Sequence, residues 1–139
     1  MAQKIKDIMT ASPITLTADR PVIDAATAMK ENSIGDVIVM NEGKMCGVVT
    51  DRDIVVRVIA QGREPQTTKL GDICSRDVAS VSPNDDVNRA IQIVRERAVR
   101  RVPVVDRDTP VGIVSIGDLA MERDQKSALA DVSAAAPNR

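Results

Sequence analysis

Gly47-Val48-Val49-Thr50-Asp51-Arg52-Asp53 reads as a buried strand running into the start of a helix. Gly112-Ile113-Val114-Ser115-Ile116-Gly117-Asp118 reads the same way 65 positions later. Each copy carries a hydroxyl and, three residues on, a carboxylate at the mouth of a helix. Sliding the whole sequence by 65 residues aligns positions 7–54 with 72–119 without a gap. Ten of the 48 pairs are identical, among them Asp7/Asp72, Val22/Val87, Val37/Val102, Gly47/Gly112 and Asp53/Asp118. Hydroxyls exchange at Thr10/Ser75, Thr15/Ser80, Thr17/Ser82 and Thr50/Ser115. A gapless match of this length marks two like units.

Each unit is expected to be β-α-β-β-α, in an α/β (α+β) fold. A short lead-in turn, Ile5 to Thr10 or Leu70 to Ser75, precedes a small strand, Ile14-Thr15-Leu16 or Ala79-Ser80-Val81. A helix follows, with Asp19 and Asn84 as N-cap candidates and Pro21 early in the first copy. Val22, Ala25, Ala26 and Met29 fall on one stripe, as do Val87, Ala90, Ile91 and Val94. Two strands joined by a tight turn come next, 37–40 to 45–49 and 102–105 to 111–114, and the quoted turn opens a second helix, Asp51 to Ala60, with Gly62 as its stop. Pro103 inside a strand predicts an edge position or a bulge. The expected division is repeat 1 over 1–62, a linker over 63–69, repeat 2 over 70–125 and a tail over 126–139 that starts helical. A unit this small has a thin core, so two copies packed face to face are expected to share a larger one.

Composition excludes several function classes. Lys and Arg number 19 against 20 Asp and Glu, so the net charge of −1 offers no bulk attraction to nucleic acid or an anionic membrane. The sequence has no His, Phe, Tyr or Trp. Hydrolases that need an imidazole base and the common imidazole zinc sites are therefore excluded. So is the aromatic platform that stacks single-stranded bases. A flat ring bound here lies between aliphatic side chains or on a guanidinium. Val and Ile, 19 and 13, outnumber the 4 Leu, as suits strands. The N-terminus shows no signal-peptide pattern, and no stretch approaches a membrane span, so a cytoplasmic protein is expected. Cys46 and Cys74 show no shared sulfur pattern between repeats, and neither a metal nor a disulfide role is expected. No nucleophile–base pair is visible, and an enzyme is not expected. Asp36 and Asp51 could be recruited to a Mg²⁺–polyphosphate, but nothing in their spacing requires it.

The lead-in Asp7-Ile8-Met9-Thr10, the strand Val102-Pro103-Val104-Val105-Asp106 and the closing Gly-x-x-Thr/Ser-x-x-Asp together resemble the cystathionine-β-synthase (CBS) domain family. The resemblance covers residues 5 to about 122 as one tandem pair and is nearest to small stand-alone bacterial pairs, with Thr50-Asp51-Arg52-Asp53-Ile54 and Arg100-Arg101-Val102-Pro103-Val104 in place. It implies pseudo-twofold packing, two clefts that take adenosine-containing ligands, and dimerisation into a disc. AMP, ADP or ATP is expected ahead of S-adenosylmethionine or NAD, with no cofactor required.

In that frame the Thr50–Asp53 and Ser115–Asp118 turns are candidate ribose-phosphate grips, with Asp53 and Asp118 on ribose, since a carboxylate can accept both vicinal hydroxyls. Thr50, Arg52 and the helix N–H groups suit a phosphate. The plainer alternative is a capping box that closes the helix by itself. The resemblance places Arg100 and Arg101 near phosphate, with a solvated Arg pair as the alternative. Their repeat-1 equivalents, Gly35 and Asp36, predict unequal clefts. Adenine would rest on Ile14, Thr15, Val37 and Ile38, or on Ala79, Ser80, Val102 and Pro103, each of which also reads as ordinary strand. The reading is a regulatory adenine-nucleotide sensor, a homodimer with a possible regulated protein partner. The alternative is an interaction module for a partner enzyme or transporter, with vestigial clefts.

Overall fold

The computed structural model describes residues 3–76 and 78–123. The tail expected from residue 126 lies outside the described residues. Two like sets of elements follow each other 65 residues apart. Helix α1 (Ile5–Ile8) and strands β1 (Thr10–Ala11) and β2 (Thr15–Thr17) lead into α2 (Val22–Asn32), β3 (Asp36–Asn41) and β4 (Lys44–Thr50). The turn then opens α3 (Asp51–Ile54), which passes into a π-helical turn, Val55–Ile59. The second set runs α4 (Leu70–Ile73), α5 (Val87–Arg97), β5 (Arg101–Asp106), β6 (Thr109–Ser115) and α6 (Ile116–Arg123). Both long helices end on a left-handed residue, Ser33 and Ala98. Both hairpins turn on two positive-φ residues, Glu42-Gly43 and Arg107-Asp108, as a two-residue loop with right-handed strand twist requires.

The chain divides into two compact units, but these are not the sequence repeats. Residues Ile14–Val78 form one unit; the described residues up to Pro13 join those from Ala79 to Arg123 in the other. Each lead-in therefore packs on the sheet of the other repeat. The helix starts give a physical reason. The first N–H groups of a helix need acceptors. Val22 N–H donates to the Thr68 carbonyl at 2.8 Å and Ile23 N–H to the Pro65 carbonyl at 2.9 Å. Val87 N–H donates to the Gln3 carbonyl at 3.1 Å, the equivalent bond. Asp19 and Asn84 are accordingly not the N-caps; those positions fall to Pro21 and Asp86. Asp19 instead accepts the Thr17 hydroxyl at 2.6 Å, which holds its carboxyl below the usual range.

The exchange also thickens each core. Leu70, Ile73 and Cys74 from the second lead-in are buried with Val22, Ala25, Val37, Val39 and Val49. Ile5 from the first is buried with Val87, Ala90, Val102, Val104 and Val114. The repeated glycines make room for it. A Cβ on Gly112 would stand 2.9 Å from the Thr10 carbonyl oxygen, and one on Gly47 would fall inside the Ser75 carbonyl oxygen.

One sheet has the order β2-β3-β4, the other β1-β6-β5. In the first, β2 pairs with β3 in parallel, and Ile38 N–H donates to the Ile14 carbonyl at 3.0 Å. The equivalent of Ile38 is Pro103, which has no N–H to give. Its carbonyl accepts from Val81 at 3.0 Å, so the missing donor faces Ala79. The segment expected as strand over 79–81 is accordingly reduced to a single bridge, Val81 to Val104. Pro103 lies on the strand at the end of its sheet, next to a register shift at Val104/Val105.

Candidate functional site

The two quoted turns are built alike. In the Ile14–Val78 unit, β4 ends at Thr50, whose backbone N–H donates to Asp53 Oδ2 at 2.9 Å. Asp53 N–H returns a bond to Thr50 Oγ1 at 3.1 Å. In the other unit Ser115 N–H donates to Asp118 Oδ2 at 2.8 Å, and Asp118 N–H to Ser115 Oγ at 3.1 Å. Both are reciprocal capping boxes, so the plain reading of the spacing holds. Each box engages one carboxylate oxygen, Oδ2, and leaves Oδ1 outside it. Asp53 and Asp118 are half-buried.

The surroundings differ. Asp53 Oδ1 has Arg57 Nε at 3.8 Å, and Arg57 Nη1 donates to the Ile73 carbonyl at 2.9 Å. Arg57 was not singled out from sequence, although acid and base four apart on one helix is a legible signal. Asp51 Oδ1 accepts the Arg52 backbone N–H at 2.8 Å, so a side chain of this turn already occupies a donor that a phosphate would use. The Arg52 side chain is exposed. Asp36 is the cross-strand neighbour of Thr50, and Asp51 N–H donates to the Gly35 carbonyl at 3.0 Å.

The other unit brings its Arg pair to its own turn. Arg101 is directly opposite Ser115, and the Arg100 carbonyl accepts Ile116 N–H at 2.8 Å. Sequence reasoning left open which carboxylate accompanies these arginines; within this unit their backbone neighbours are Ser115 and Ile116, at the mouth of the Asp118 turn. Over equivalent positions of the two turns, Asp118 with Arg100 and Arg101 sums to −1 + 2 = +1, and Asp36, Asp51 and Asp53 with Arg52 sum to −3 + 1 = −2.

The remaining candidates lie on the strands. Val37, Ile38, Val102 and Pro103 are buried, Ile14 and Ala79 half-buried, and Thr15 and Ser80 exposed. Val37 and Val102 belong to the two cores. Among the described residues no group of three or more His, Cys, Asp or Glu could hold a metal, and no helix is long and apolar enough to cross a membrane. Sequence reasoning also missed the contact of Cys46 and Cys74, whose sulfurs lie 3.4 Å apart.

The family model described as CBS domain matches residues 5–60 and again 70–124. The chain is 37% identical over 119 residues to the CBS domain-containing protein YhcV of Bacillus subtilis, covering 86% of this chain and 84% of that protein. It is 35% identical over 116 residues to the uncharacterized protein MK0525 of Methanopyrus kandleri, covering 82% of this chain and only 57% of that longer protein. Among solved structures it resembles the CBS domain pair of protein MJ0100 in complex with 5′-methylthioadenosine and S-adenosyl-L-methionine, at a TM-score of 0.80 and 26% identity, over 91% of this chain and 100% of that one. With the helix, hairpin and closing turn duplicated and both repeats matched, the chain belongs to the CBS domain family, as a tandem pair of the kind that serves as a regulatory ligand-binding module.

Proposed function

We propose that the Asp53 and Asp118 turns hold the ribose of adenosine-containing ligands, and that the chain is a non-catalytic sensor of AMP, ADP or ATP. The observation that carries this is the duplicated half-buried carboxylate with Oδ2 in the cap and Oδ1 outside it. A carboxylate oxygen so placed can accept from a vicinal diol without dismantling the cap. The adenosyl ligands of the MJ0100 pair support the choice of adenosine.

The two sites are unequal. The positive sum around Asp118 favours the ligand with more phosphate, while the negative sum around Asp53 favours a neutral or cationic tail. Pro103 supports an adenine role in the same unit: with no N–H facing the Ala79 carbonyl, that oxygen is open to an exocyclic amine. Val102 belongs to the core, and Pro103, on the opposite face of the strand, supplies the apolar contact where no aromatic exists. Val55, Val56 and Ile59, 58%, 43% and 57% exposed, form an apolar face that suits a homodimer, to be read by light scattering.

Calorimetric titration with AMP, ADP, ATP, NAD and S-adenosylmethionine tests the proposal; no binding below millimolar concentration would overturn it. Asp118→Ala is expected to lose about 1.5–3 kcal/mol, tenfold or more in affinity, at its own site. The second reading, an interaction module with vestigial sites, is favoured by the fact that both caps are complete without a ligand. An unfolding midpoint unmoved by saturating nucleotide would select it, because a ligand that binds only the native state must raise the midpoint.

A further inference from the structure

Cys46 and Cys74 are 28 residues apart in sequence, yet their sulfurs stand 3.4 Å apart within the Ile14–Val78 unit. Both are free thiols. Cys46 is half-buried on β4; Cys74 follows α4 and is 7% exposed. The backbones that carry them are already clamped beside the pair. Val48 N–H donates to the Ser75 carbonyl at 3.3 Å, and Ser75 N–H to the Val48 carbonyl at 3.1 Å. Gly47, between Cys46 and this clamp, contributes no side chain; a Cβ there would stand 3.2 Å from the Cys74 sulfur. Closing the sulfurs to bonding distance requires an approach of about 1.4 Å, within reach of side-chain rotation and a small backbone adjustment.

We propose that Cys46 and Cys74 are a redox modification site, closing reversibly to an intramolecular disulfide. Their settings assign distinct roles. Burial pushes the Cys74 thiol up to about 11, so it stays protonated near neutral pH. Cys46 is the more accessible and reacts first. Its thiolate attacks one sulfur of a low-molecular-weight disulfide RSSR, forming a mixed disulfide and releasing RS⁻, which takes up the proton Cys46 gave to solvent. Cys74 then attacks the Cys46 sulfur as its own proton passes to the departing RS⁻. Two protein thiols are oxidised by two electrons, and one RSSR is reduced to two RSH. The bond fastens α4 to β4. It also lies one residue from the Ile73 carbonyl that anchors Arg57 beside Asp53.

The test incubates the full chain with oxidised glutathione and reads intact mass, titratable thiols and the thermal midpoint. The expected product is a single chain lighter by about 2 Da, with neither of its two thiols titratable, unfolding roughly 10 °C higher and restored by a reductant. Cys74→Ser should stop as a glutathione adduct on Cys46, and Cys46→Ser should keep its remaining thiol. If Ser at the buried position unfolds the chain, Cys74→Val keeps the apolar volume and gives the same adduct. Wild type that retains both thiols, ends as a glutathione adduct, or cross-links only between chains would overturn the proposal.

Discussion

Gly47→Ala would build a methyl carbon inside the Ser75 carbonyl oxygen, 2.9 Å from the Ser75 carbonyl carbon and 3.2 Å from the Cys74 sulfur. The nearest obstacle is backbone, so no side-chain rotation relieves it. The lead-in must back away from β4 by about 1 Å, a shift to which close-packed interiors yield poorly. That strains or breaks the paired Val48–Ser75 bonds, each contributing about 1 kcal/mol net. It also loosens Ile73 and Cys74, 2% and 7% exposed, for about 1–2 kcal/mol more. The narrower unfolded ensemble of Ala returns about 0.5–1 kcal/mol. The net loss is about 3 kcal/mol, or roughly 10 °C in midpoint for a chain of this size. Unfolding is best followed by far-ultraviolet circular dichroism, since the sequence offers no Trp or Tyr for fluorescence. Gly43→Ala is the control: it meets nothing within 4 Å and carries only the strain of φ +80°, about 1 kcal/mol. A Gly47→Ala midpoint at or above that of Gly43→Ala would refute the reasoning.

Replacing Arg100 and Arg101 together by Ala should weaken ATP more than adenosine at the Asp118 site and flatten the salt dependence of ATP binding, as read by titration at two ionic strengths; equal losses for both ligands would remove phosphate from their role. Pro103→Ala restores an N–H opposite the Ala79 carbonyl. It should lengthen the parallel pairing and weaken adenine binding by about 1 kcal/mol, roughly fivefold, with the midpoint held or raised. The raised Cys74 thiol, with Cys46 and Arg76 facing it, gives a pH signature. The folded state holds this proton more tightly than the unfolded state, so its contribution is complete below pH 9.0 and is lost as pH rises toward about 11. The reduced wild type should lose stability across that window more steeply than Cys74→Ser.

What the sequence made legible was whatever lies within one repeat. The strand pairs, the hairpin turns and the Thr50–Asp53 and Ser115–Asp118 caps depend on residues a few positions apart, where alternation and spacing carry the signal. Pro103 announced its sheet-end position because a missing donor is a local fact. Asp19 and Asn84 looked like N-caps because their side chains suit the task; in the second helix Asp86 takes that role, accepting Asn88 N–H at 2.8 Å, while the first N–H of each helix goes to the Thr68 or Gln3 backbone, which has no residue-type signature. Nor does a repeat spacing say which copy a lead-in will join, since both copies offer it the same glycine gap. The Cys46–Cys74 contact was hidden for the same reason, because it exists only once α4 lies against β4.

That exchange of lead-ins bears on how the protein can be taken apart. A protease cut between residues 61 and 69 would not liberate two independent halves, because each fragment would still own part of both hydrophobic interiors. Separately expressed halves should misbehave alone and recover their fold on mixing. A gene duplication that produced this chain could therefore have joined two copies that already completed one another as a dimer.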